Sequence, residues 1–398
     1  MRIGIFGGTF NPPHNGHVTI ARAAVTQLGL DKLLIVPACV PPHKPLPSGV
    51  TAGQRYDMAA LMAAPVGRCA EASDMELHRT GKSYTSDTLV QLQQEYPDAE
   101  LWLLMGSDMF LSLHMWHEPE VICRIARIAA FRRVEEDIRA AMERQKQLLE
   151  RQYQAQVTLL ENPELIELSS TDVRAALAEG RGSGLVPAAV WGYIQREHLY
   201  GTSTDLKHLT PDALRPIAMS YLKPKRMAHV LGTEATAVKL AKQYGADETE
   251  ARVAALLHDC TKKLDMDQQL ALCRQYGLEL DELEQQALKL LHSRTGAAIA
   301  RDVFGVSDAV YSAIRFHTTG KPHMTLLEKI LYLADYMEPT RDFDGVEHLR
   351  EVVRQDLDQG LLLGLTMTIE EMREMGNPIH HLTLDAQRYL IEQGVKQV

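Results

Sequence analysis

The sequence predicts two domains, an α/β domain with a parallel sheet followed by an all-α domain. In the first 40 residues, the apolar run 2–6, the amphipathic segment 16–28 and the apolar run 32–38 follow one another as strand, helix and strand. This is the order of a parallel βαβ unit. Beyond about residue 200, apolar residues recur with helical period and no alternating strand pattern appears, which indicates helices only.

The remaining elements follow from the same periodicities. Further strands are predicted at 101–105, 125–131 and 157–160. A heavily charged helix is predicted over 135–156, for which a solvated surface helix is the favoured interpretation and a partner-binding helix the alternative. Helices in the second half are predicted at 227–244, 247–258, 282–292, 307–317, 326–337 and 346–374.

The boundary between the domains is predicted from a change in composition. Segment 201–212 is rich in Gly, Ser, Thr, Asp and Pro, which is typical of a linker that ends in a helix cap. We therefore expect domains at 1–200 and 212–398, joined by a linker at 201–211. A length of 398 residues suits this division, since domains commonly have roughly 100–200 residues.

Composition excludes several classes of protein. A net charge of -10 argues against a surface that wraps nucleic acid. The five cysteines form no CxxC pair, so we expect neither a disulfide framework nor a zinc–cysteine site, and a reduced, cytoplasmic compartment fits best. No apolar run reaches the ~18–20 residues that span a bilayer, and the N-terminal apolar run is too short for a signal peptide. A homo-oligomer is compatible with the sequence.

The turn after the first strand predicts an anion site. Gly7 and Gly8 follow the strand directly, and His14 and His17 stand three residues apart at the start of the next helix. Glycines let the backbone approach a phosphate, and the first N–H groups of a helix point towards it. A lone HxxH is more often a pair of surface or capping histidines, or half of a metal site. Its position in a glycine-rich strand-to-helix turn favours the anion site here.

Two segments carry a resemblance to a known family. GGTFNPPHNGH at 7–17 resembles the signature of the HxGH nucleotidyltransferases, and SSTDVR at 169–174 is similar to their second signature, SSTxxR. The resemblance implies a Rossmann-like parallel sheet and ATP bound with Mg²⁺. The ATP-binding residues that it implies are Gly7, Gly8, Thr9, Phe10, His14, His17, Ser169, Ser170, Thr171 and Arg174.

Three more segments are similar to nicotinate-nucleotide adenylyltransferases: RTGKSYTSDTL at 79–89, the Gly-Ser-Asp of 106–108 with Trp and His at 116–117, and PPHK at 41–44. One departure is that the stretch after 131–133 lacks the family's Gly-Pro turn. The implied reaction, a step of NAD biosynthesis, joins AMP from ATP to nicotinate mononucleotide and releases pyrophosphate. Mononucleotide contacts are implied for Lys44, Tyr84, Thr85, Asp108 and Trp116, and catalytic roles for His14, His17, Lys44 and Arg174.

The second half contains a candidate metal centre. His258 and Asp259 end an apolar helical segment, where burying both an imidazole and a carboxylate is costly unless they are paired or bound to metal. A single histidine in such a place is more often structural, but here the pattern recurs in several apolar helices. The predicted ligands are His229, His258, Asp259, His292, His317 and Asp335.

The order H…HD…H…H…D resembles the HD superfamily of metal phosphohydrolases, and most closely those that cleave diadenosine tetraphosphate symmetrically to two ADP. The resemblance implies one or two divalent metals, iron or manganese, that activate water for attack on phosphorus, with catalytic roles for Asp259 and Lys262. Two alternatives stay open: a nucleotidase for other (deoxy)nucleotides or alarmones, and a nucleotide-binding regulatory module without turnover. The expected phosphate-binding cations are Arg226, Lys262, Arg315 and Arg341.

Overall fold

The chain divides into two compact units, Met1–Ser203 and Thr204–Val398. The computed structural model describes residues 1–41, 49–131, 136–161 and 168–397. The division between the units falls inside the segment that the composition marks as a linker. No helix in the described part of the chain is both long and apolar enough to cross a bilayer.

The first unit is built on a six-stranded sheet in which every neighbouring pair is parallel, with strand order β3-β2-β1-β4-β5-β6. Five strands agree with the sequence prediction to within two residues at each end. The remaining strand, β3, was not predicted, because its three residues are too few to show a period. The strands are β1 (Arg2–Gly8), β2 (Lys32–Pro37), β3 (Ala70–Ala72), β4 (Glu100–Met105), β5 (Ala126–Phe131) and β6 (Val157–Leu160).

In the described residues of the first unit, eight α-helices connect and follow these strands. The charged helix predicted at 135–156 is the sixth, and it buries only Met142, Gln145 and Leu149, so most of its length has the polar surface that its composition indicates. The helices are α1 (Asn15–Leu28), α2 (Ala52–Val66), α3 (Thr85–Glu95), α4 (Ser107–Ser112), α5 (Pro119–Ile125), α6 (Glu136–Tyr153), α7 (Ser170–Ala178) and α8 (Ala188–Arg196).

Strand order determines where a ligand can bind. The chain leaves β1 in one direction along the sheet and β4 in the other, and these two strands are neighbours, with Phe6 paired to Leu104. In open parallel sheets, ligands bind in the crevice beyond the carboxyl ends of such a pair. The turn that follows Gly8 and the segment that starts at Gly106 therefore emerge at the same place, although about 100 residues separate them.

In the described residues of the second unit, all regular secondary structure is helical. Two sequence predictions need correction. The helix predicted at 282–292 begins only at Leu288, and the helix predicted at 346–374 is two helices. Asp356 has an extended backbone between them, and its carboxylate accepts the N–H groups of Asp358 and Gln359, so it caps the second helix. The helices are α9 (Pro211–Ser220), α10 (Pro224–Tyr244), α11 (Glu248–Leu257), α12 (Met266–Gln275), α13 (Leu288–Phe304), α14 (Asp308–Phe316), α15 (Leu326–Met337), α16 (Val346–Gln355), α17 (Leu357–Glu374) and α18 (His381–Glu392).

Candidate active sites

His14 and His17 form a close pair at the N-terminus of α1, with their ring planes tilted by 36°. Their ring centroids are 3.7 Å apart, and the backbone N–H of His14 donates to Nδ1 of His17 at 3.1 Å. Because Nδ1 of His17 accepts this bond, the proton of the neutral ring lies on Nε2. Burial lowers the pKa of His14 to about 4 and the pKa of His17 well below its usual value. At neutral pH both rings are uncharged hydrogen-bond donors.

Residues that are distant in sequence hold the turn between β1 and α1. Arg174 donates from Nη1 to the carbonyl of Asn11 at 2.7 Å, and the Ser170 hydroxyl donates to the carbonyl of Pro12 at 3.1 Å. The Tyr200 hydroxyl donates to Oδ1 of Asn11 at 2.6 Å. Arg174 and Ser170, which were predicted as ATP contacts, thus hold the turn between β1 and α1 in place. Asn11 and Tyr200 were missed, because no local pattern reveals a contact across 189 residues.

The other predicted ATP residues lie around this turn in different environments. Phe10 is buried against Phe6 and His17, and a Cβ atom on Gly8 would lie 3.1 Å from its ring. The Phe10 side chain is therefore core, and only its backbone can face a nucleotide. Gly7 and Gly8 are the last two residues of β1, and Thr9 follows them. At the second signature, Ser169 caps α7 by accepting the N–H of Asp172, and Arg174 donates to the hydroxyl of Thr171.

The predicted mononucleotide residues follow β4 and begin α3. Thr85 is the first residue of α3, and the ring of Tyr84 lies against His117 with centroids 4.2 Å apart. Trp116 is half-buried against the core, and its indole N–H donates to the hydroxyl of Ser112 at 3.3 Å. Asp108 is exposed in the first turn of α4. Lys44 lies outside the described residues.

In the second unit, the six predicted ligands converge from five helices or helix ends. Nε2 of His229 lies 2.9 Å from Oδ1 of Asp335, and Nε2 of His258 lies 3.7 Å from the same oxygen. On the other side, Nε2 of His292 lies 3.2 Å from Oδ1 of Asp259, and that of His317 lies 4.0 Å from it. Asp259, which is completely buried, stands between the two halves of the cluster.

Second hydrogen bonds orient all four imidazoles. Nδ1 of His258, His292 and His317 faces a backbone carbonyl at 2.6–2.7 Å, and Nδ1 of His229 faces the carboxylate of Glu338 at 3.0 Å. These acceptors require a proton on Nδ1, so the four Nε2 lone pairs point into the cluster. Nε2 of His229, Nε2 of His258 and Oδ1 of Asp259 are buried without a hydrogen-bond partner. Converging unpaired imidazole and carboxylate atoms fit a divalent cation.

Three of the four predicted phosphate-binding cations surround this cluster. Arg226 Nε lies 2.5 Å from Asp259 Oδ2, Arg341 Nη2 lies 3.0 Å from Asp335 Oδ1, and Lys262 Nζ lies 3.0 Å from Nε2 of His292. Burial lowers the pKa of Lys262, while Asp259 and Asp335 oppose the shift.

Arg315 has different surroundings from the other three cations. It lies 3.9 Å from the Glu284 carboxylate and against the ring of Phe316. Glu284 also forms a buried ion pair with Arg294. The described contacts of Arg315 therefore lend no support to a phosphate-binding role. The predicted role followed from sequence adjacency to His317, and residues two apart on a helix point to different sides.

The carboxylate of Glu338 is a functional candidate that sequence reasoning missed. It is completely buried, and besides His229 it accepts the backbone N–H and the hydroxyl of Thr340. A Cβ atom on Gly232 would lie 2.4 Å from its Oε2, so the glycine makes room for it against α10. In the sequence, the signal that could have revealed Glu338 is its position directly after α15, three residues beyond the predicted ligand Asp335.

Fold and sites together define a nucleotidyl-transferring α/β domain and a helical domain with a metal-type ligand cluster. Residues 5–176 match the cytidylyltransferase-like family model, and residues 226–340 match the HD domain model. The chain belongs in its N-terminal half to the nicotinate-nucleotide adenylyltransferase family and in its C-terminal half to the HD-domain family that includes symmetrical bis(5'-nucleosyl)-tetraphosphatase.

Individual relatives match one half each. A symmetrical bis(5'-nucleosyl)-tetraphosphatase of Halalkalibacterium halodurans is 40% identical over 177 residues, which are 43% of this chain and 91% of that protein. A probable nicotinate-nucleotide adenylyltransferase of Lachnoclostridium phytofermentans is 34% identical over 200 residues, 50% of this chain and 98% of that protein. Among solved structures, a predicted HD superfamily hydrolase involved in NAD metabolism from Clostridium acetobutylicum is 41% identical, with a TM-score of 0.45, and covers 46% of this chain and 98% of its own.

Proposed function

We propose that the N-terminal domain transfers AMP from ATP to nicotinate mononucleotide. The observation that carries the proposal is the neutral His14–His17 pair at the N-terminus of α1, beside the crevice between β1 and β4. A phosphate oxygen of the mononucleotide attacks the α-phosphorus of ATP, and the bond from that phosphorus to the bridging oxygen of the β-phosphate breaks. Pyrophosphate carries away the electron pair, and the product is nicotinate adenine dinucleotide.

The protein's part in this reaction is to position the substrates and to stabilise charge. Nε2–H of His17 and the first N–H groups of α1 can donate to phosphoryl oxygens as charge builds up on them. Arg174 holds the turn and adds positive charge, and Lys44 is proposed to contact phosphate. Mg²⁺ bound with ATP would offset the charge of the triphosphate.

Relatives and local chemistry both support nicotinate mononucleotide as the acceptor. Several relatives that span half of this chain are named nicotinate-nucleotide adenylyltransferases. The N-terminus of α3 at Thr85 presents free backbone N–H groups that suit a carboxylate, and the Trp116 ring suits a flat cationic pyridine ring. Asp108 can accept hydrogen bonds from ribose hydroxyls.

Substrate comparison tests this assignment. Purified full-length chain with ATP and Mg²⁺ should convert nicotinate mononucleotide at least tenfold more efficiently than its amide, measured as kcat/KM from pyrophosphate release. His17→Ala should reduce this activity by about 10²-fold or more, since one charge-stabilising donor is lost. A preference for the amide would refute the acid-specific role of the Thr85 region.

We propose that the C-terminal domain hydrolyses diadenosine tetraphosphate symmetrically to two ADP. The observation that carries this second proposal is the ligand cluster with its unpaired buried atoms, surrounded by Arg226, Lys262 and Arg341. A divalent cation bound there would polarise a phosphoryl oxygen and activate water. The three cations suit a chain of several phosphates, because each can neutralise one or more phosphoryl oxygens.

Product analysis tests the hydrolase proposal. With added Fe²⁺ or Mn²⁺, the full-length chain should convert diadenosine tetraphosphate to ADP as the sole nucleotide product. AMP with ATP as products would contradict symmetrical cleavage, and turnover only of other nucleotides would favour the nucleotidase alternative. Asp259→Ala should abolish the hydrolysis and preserve adenylyl transfer, whereas His17→Ala should do the reverse.

A further inference from the structure

Four buried polar side chains of the N-terminal domain, together with the backbone segments that they bind, connect the turn after β1 to α3. Arg55 is 0% exposed, Thr88 2%, and Glu76 and Ser83 7% each. We refer to these four residues as the buried polar network. None of them belongs to the residues assigned above to substrate binding or catalysis.

One end of the network contacts the turn between β1 and α1, which we call the ATP turn. Nη1 of Arg55 donates to the carbonyl of Thr9 at 2.9 Å. The same guanidinium donates to the carbonyls of Ala38 at 2.6 Å and Cys39 at 3.0 Å, directly after β2. A single rigid, planar group thus sets the distance between the ATP turn and the segment that follows β2.

Ser83 continues the network from that segment. Its Oγ accepts the backbone N–H groups of Cys39 at 3.1 Å and Val40 at 3.3 Å, and its own N–H donates to the carbonyl of Val40 at 2.9 Å. The peptide groups 38–39 and 39–40 therefore bind Arg55 through their oxygens and Ser83 through their N–H groups. Neither peptide group can rotate without breaking bonds on both sides.

The other end of the network lies in α3. Ser83 lies two residues before Thr85, the first residue of α3, and the Thr88 hydroxyl donates to Oε1 of Glu76 at 2.6 Å. Burial raises the pKa of Glu76, while the hydrogen bond from Thr88 opposes the shift. Thr88 lies one turn after Thr85, and its hydroxyl also contacts Nη1 of Arg79 at 3.0 Å. The network thus ends at the helix N-terminus proposed to hold the nicotinate carboxylate.

Such a network costs free energy of folding, so packing alone does not account for it. No described carboxylate forms an ion pair with Arg55, so this buried cation is stabilised by backbone carbonyls alone, and burial lowers its pKa. Apolar side chains of similar volume commonly replace buried charged groups without loss of stability. Apolar residues, however, cannot hold three separate loops in one hydrogen-bonded arrangement.

We propose that the buried polar network couples the two substrate sites, so that ATP bound at the turn raises the affinity for the pyridine mononucleotide at α3. The inference rests on the proposed adenylyltransferase function. A substrate that binds one loop restricts its motion, and the network transmits the restriction to the other loop. The second substrate then binds to a segment that is already ordered. Because coupling of binding free energies is reciprocal, the mononucleotide raises the affinity for ATP by the same factor.

Titration calorimetry on the full-length chain tests the coupling. The dissociation constant of nicotinate mononucleotide is measured without and with saturating α,β-methylene-ATP, whose carbon bridge prevents release of pyrophosphate, and the reverse titration is measured too. We expect each ligand to tighten the other by about fivefold or more. Ser83→Ala removes the acceptor for two N–H groups, and Arg55→Lys keeps the charge but loses the planar fork. Both should reduce the coupling to about onefold while each ligand still binds alone.

Ser220→Ala is the matched control, because it removes a buried serine hydroxyl that donates one hydrogen bond in the other domain. It should retain the wild-type coupling. Wild-type chain that binds neither ligand would refute the proposed function itself. Binding of both without mutual tightening, or tightening retained in Ser83→Ala and Arg55→Lys, would refute the coupling alone. Circular dichroism identifies a variant that fails to fold, and in that case the other variant and the wild-type cycle decide.

Discussion

Nε2 of His292 and Nε2 of His317 lie 3.1 Å apart, while Nδ1 of each ring faces a backbone carbonyl at 2.7 Å. With the protons on Nδ1, two lone pairs point at each other inside a buried site. This arrangement is unfavourable unless a positive charge lies between or beside the rings. Lys262 supplies one such charge at 3.0 Å from His292, and a divalent cation would supply more.

Metal removal should therefore destabilise the helical domain. We expect the apo chain to unfold at a temperature several degrees below the chain with excess Mn²⁺ or Fe²⁺. A ligand at 100 times its dissociation constant contributes about 2.7 kcal/mol. Differential scanning calorimetry with chelator and with metal measures the shift. His17→Ala, in the other domain, should show the same metal-dependent shift, and an unchanged transition in wild type would contradict the metal site.

Glu338 should determine how tightly the cation is held. Replacing it in Glu338→Gln leaves the size unchanged but removes the charge that orients His229 and makes its ring more basic. We expect metal affinity to fall by about 10–100-fold, measured by competition with a fluorescent chelator. Glu347→Gln is the control, since Glu347 is an exposed partner of Arg350 and should not affect the affinity. Equal affinities in the two variants would show that Glu338 has no such role.

Gly232 is expected to be intolerant of even one added carbon. A Cβ atom there would lie 2.4 Å from Glu338 Oε2 and 3.3 Å from its Cδ, so Gly232→Ala must displace the carboxylate from His229. Metal affinity should fall in this variant as it does in Glu338→Gln. Gly364 is also within a helix, but its added Cβ would have only ordinary contacts of 3.5 Å or more. Gly364→Ala should keep full affinity and gain stability of about 0.5–1 kcal/mol.

We expect the N-terminal domain to lose stability in mild acid because His14 is buried in its neutral form. Its pKa in the folded chain is about 4, compared with 6.5 in an unfolded chain, because burial disfavours the charged ring. Between these values the unfolded chain binds the proton and the folded chain does not, so stability is complete above pH 6.5 and falls as the pH drops towards 4. The shift corresponds to about 3 kcal/mol. Urea unfolding at pH 7, 5.5 and 4.5 measures how the free energy of unfolding depends on pH. This dependence should be weaker in His14→Asn than in wild type. The control His78→Asn, at an exposed site, should show the same dependence as wild type.

How much the sequence revealed depends on how local each signal is. The βαβ start and the His258–Asp259 pair are contiguous patterns, and the structure has each where the pattern indicates, although β1 continues through Gly7 and Gly8 before the turn begins. The contacts that hold the turn are not local: Tyr200 reaches Asn11 across 189 residues, and Arg55 reaches Thr9 across 46. Only the folded chain brings such partners together.

The single long helix predicted at 346–374 was wrong for a physical reason. Helical period continues across Asp356, because a cap interrupts the hydrogen bonding of the backbone without interrupting the apolar pattern. The phosphate-binding role of Arg315 stays a prediction, and its position two residues before His317 places it 3.9 Å from the Glu284 carboxylate. By contrast, Arg226 and Arg341 lie three to six residues from a ligand on the same or an adjoining turn, and both reach the cluster.

A second group of potential ligands, Asp281, His380 and His381, should bind no metal. The backbone N–H of Leu382 donates to Nδ1 of His380 at 3.2 Å, so the proton of the neutral ring is on Nε2, which faces Oδ2 of Asp281 at 3.0 Å. A metal-binding imidazole normally donates its second N–H to an acceptor, which is the opposite arrangement. We therefore expect His380→Ala to keep the wild-type metal content, measured by plasma emission spectroscopy, and to lose about 1 kcal/mol because α18 loses its cap. In the paired variant His229→Ala, the metal content should fall. If His380→Ala lost one equivalent of metal, that result would contradict the prediction and establish a second metal site at α18.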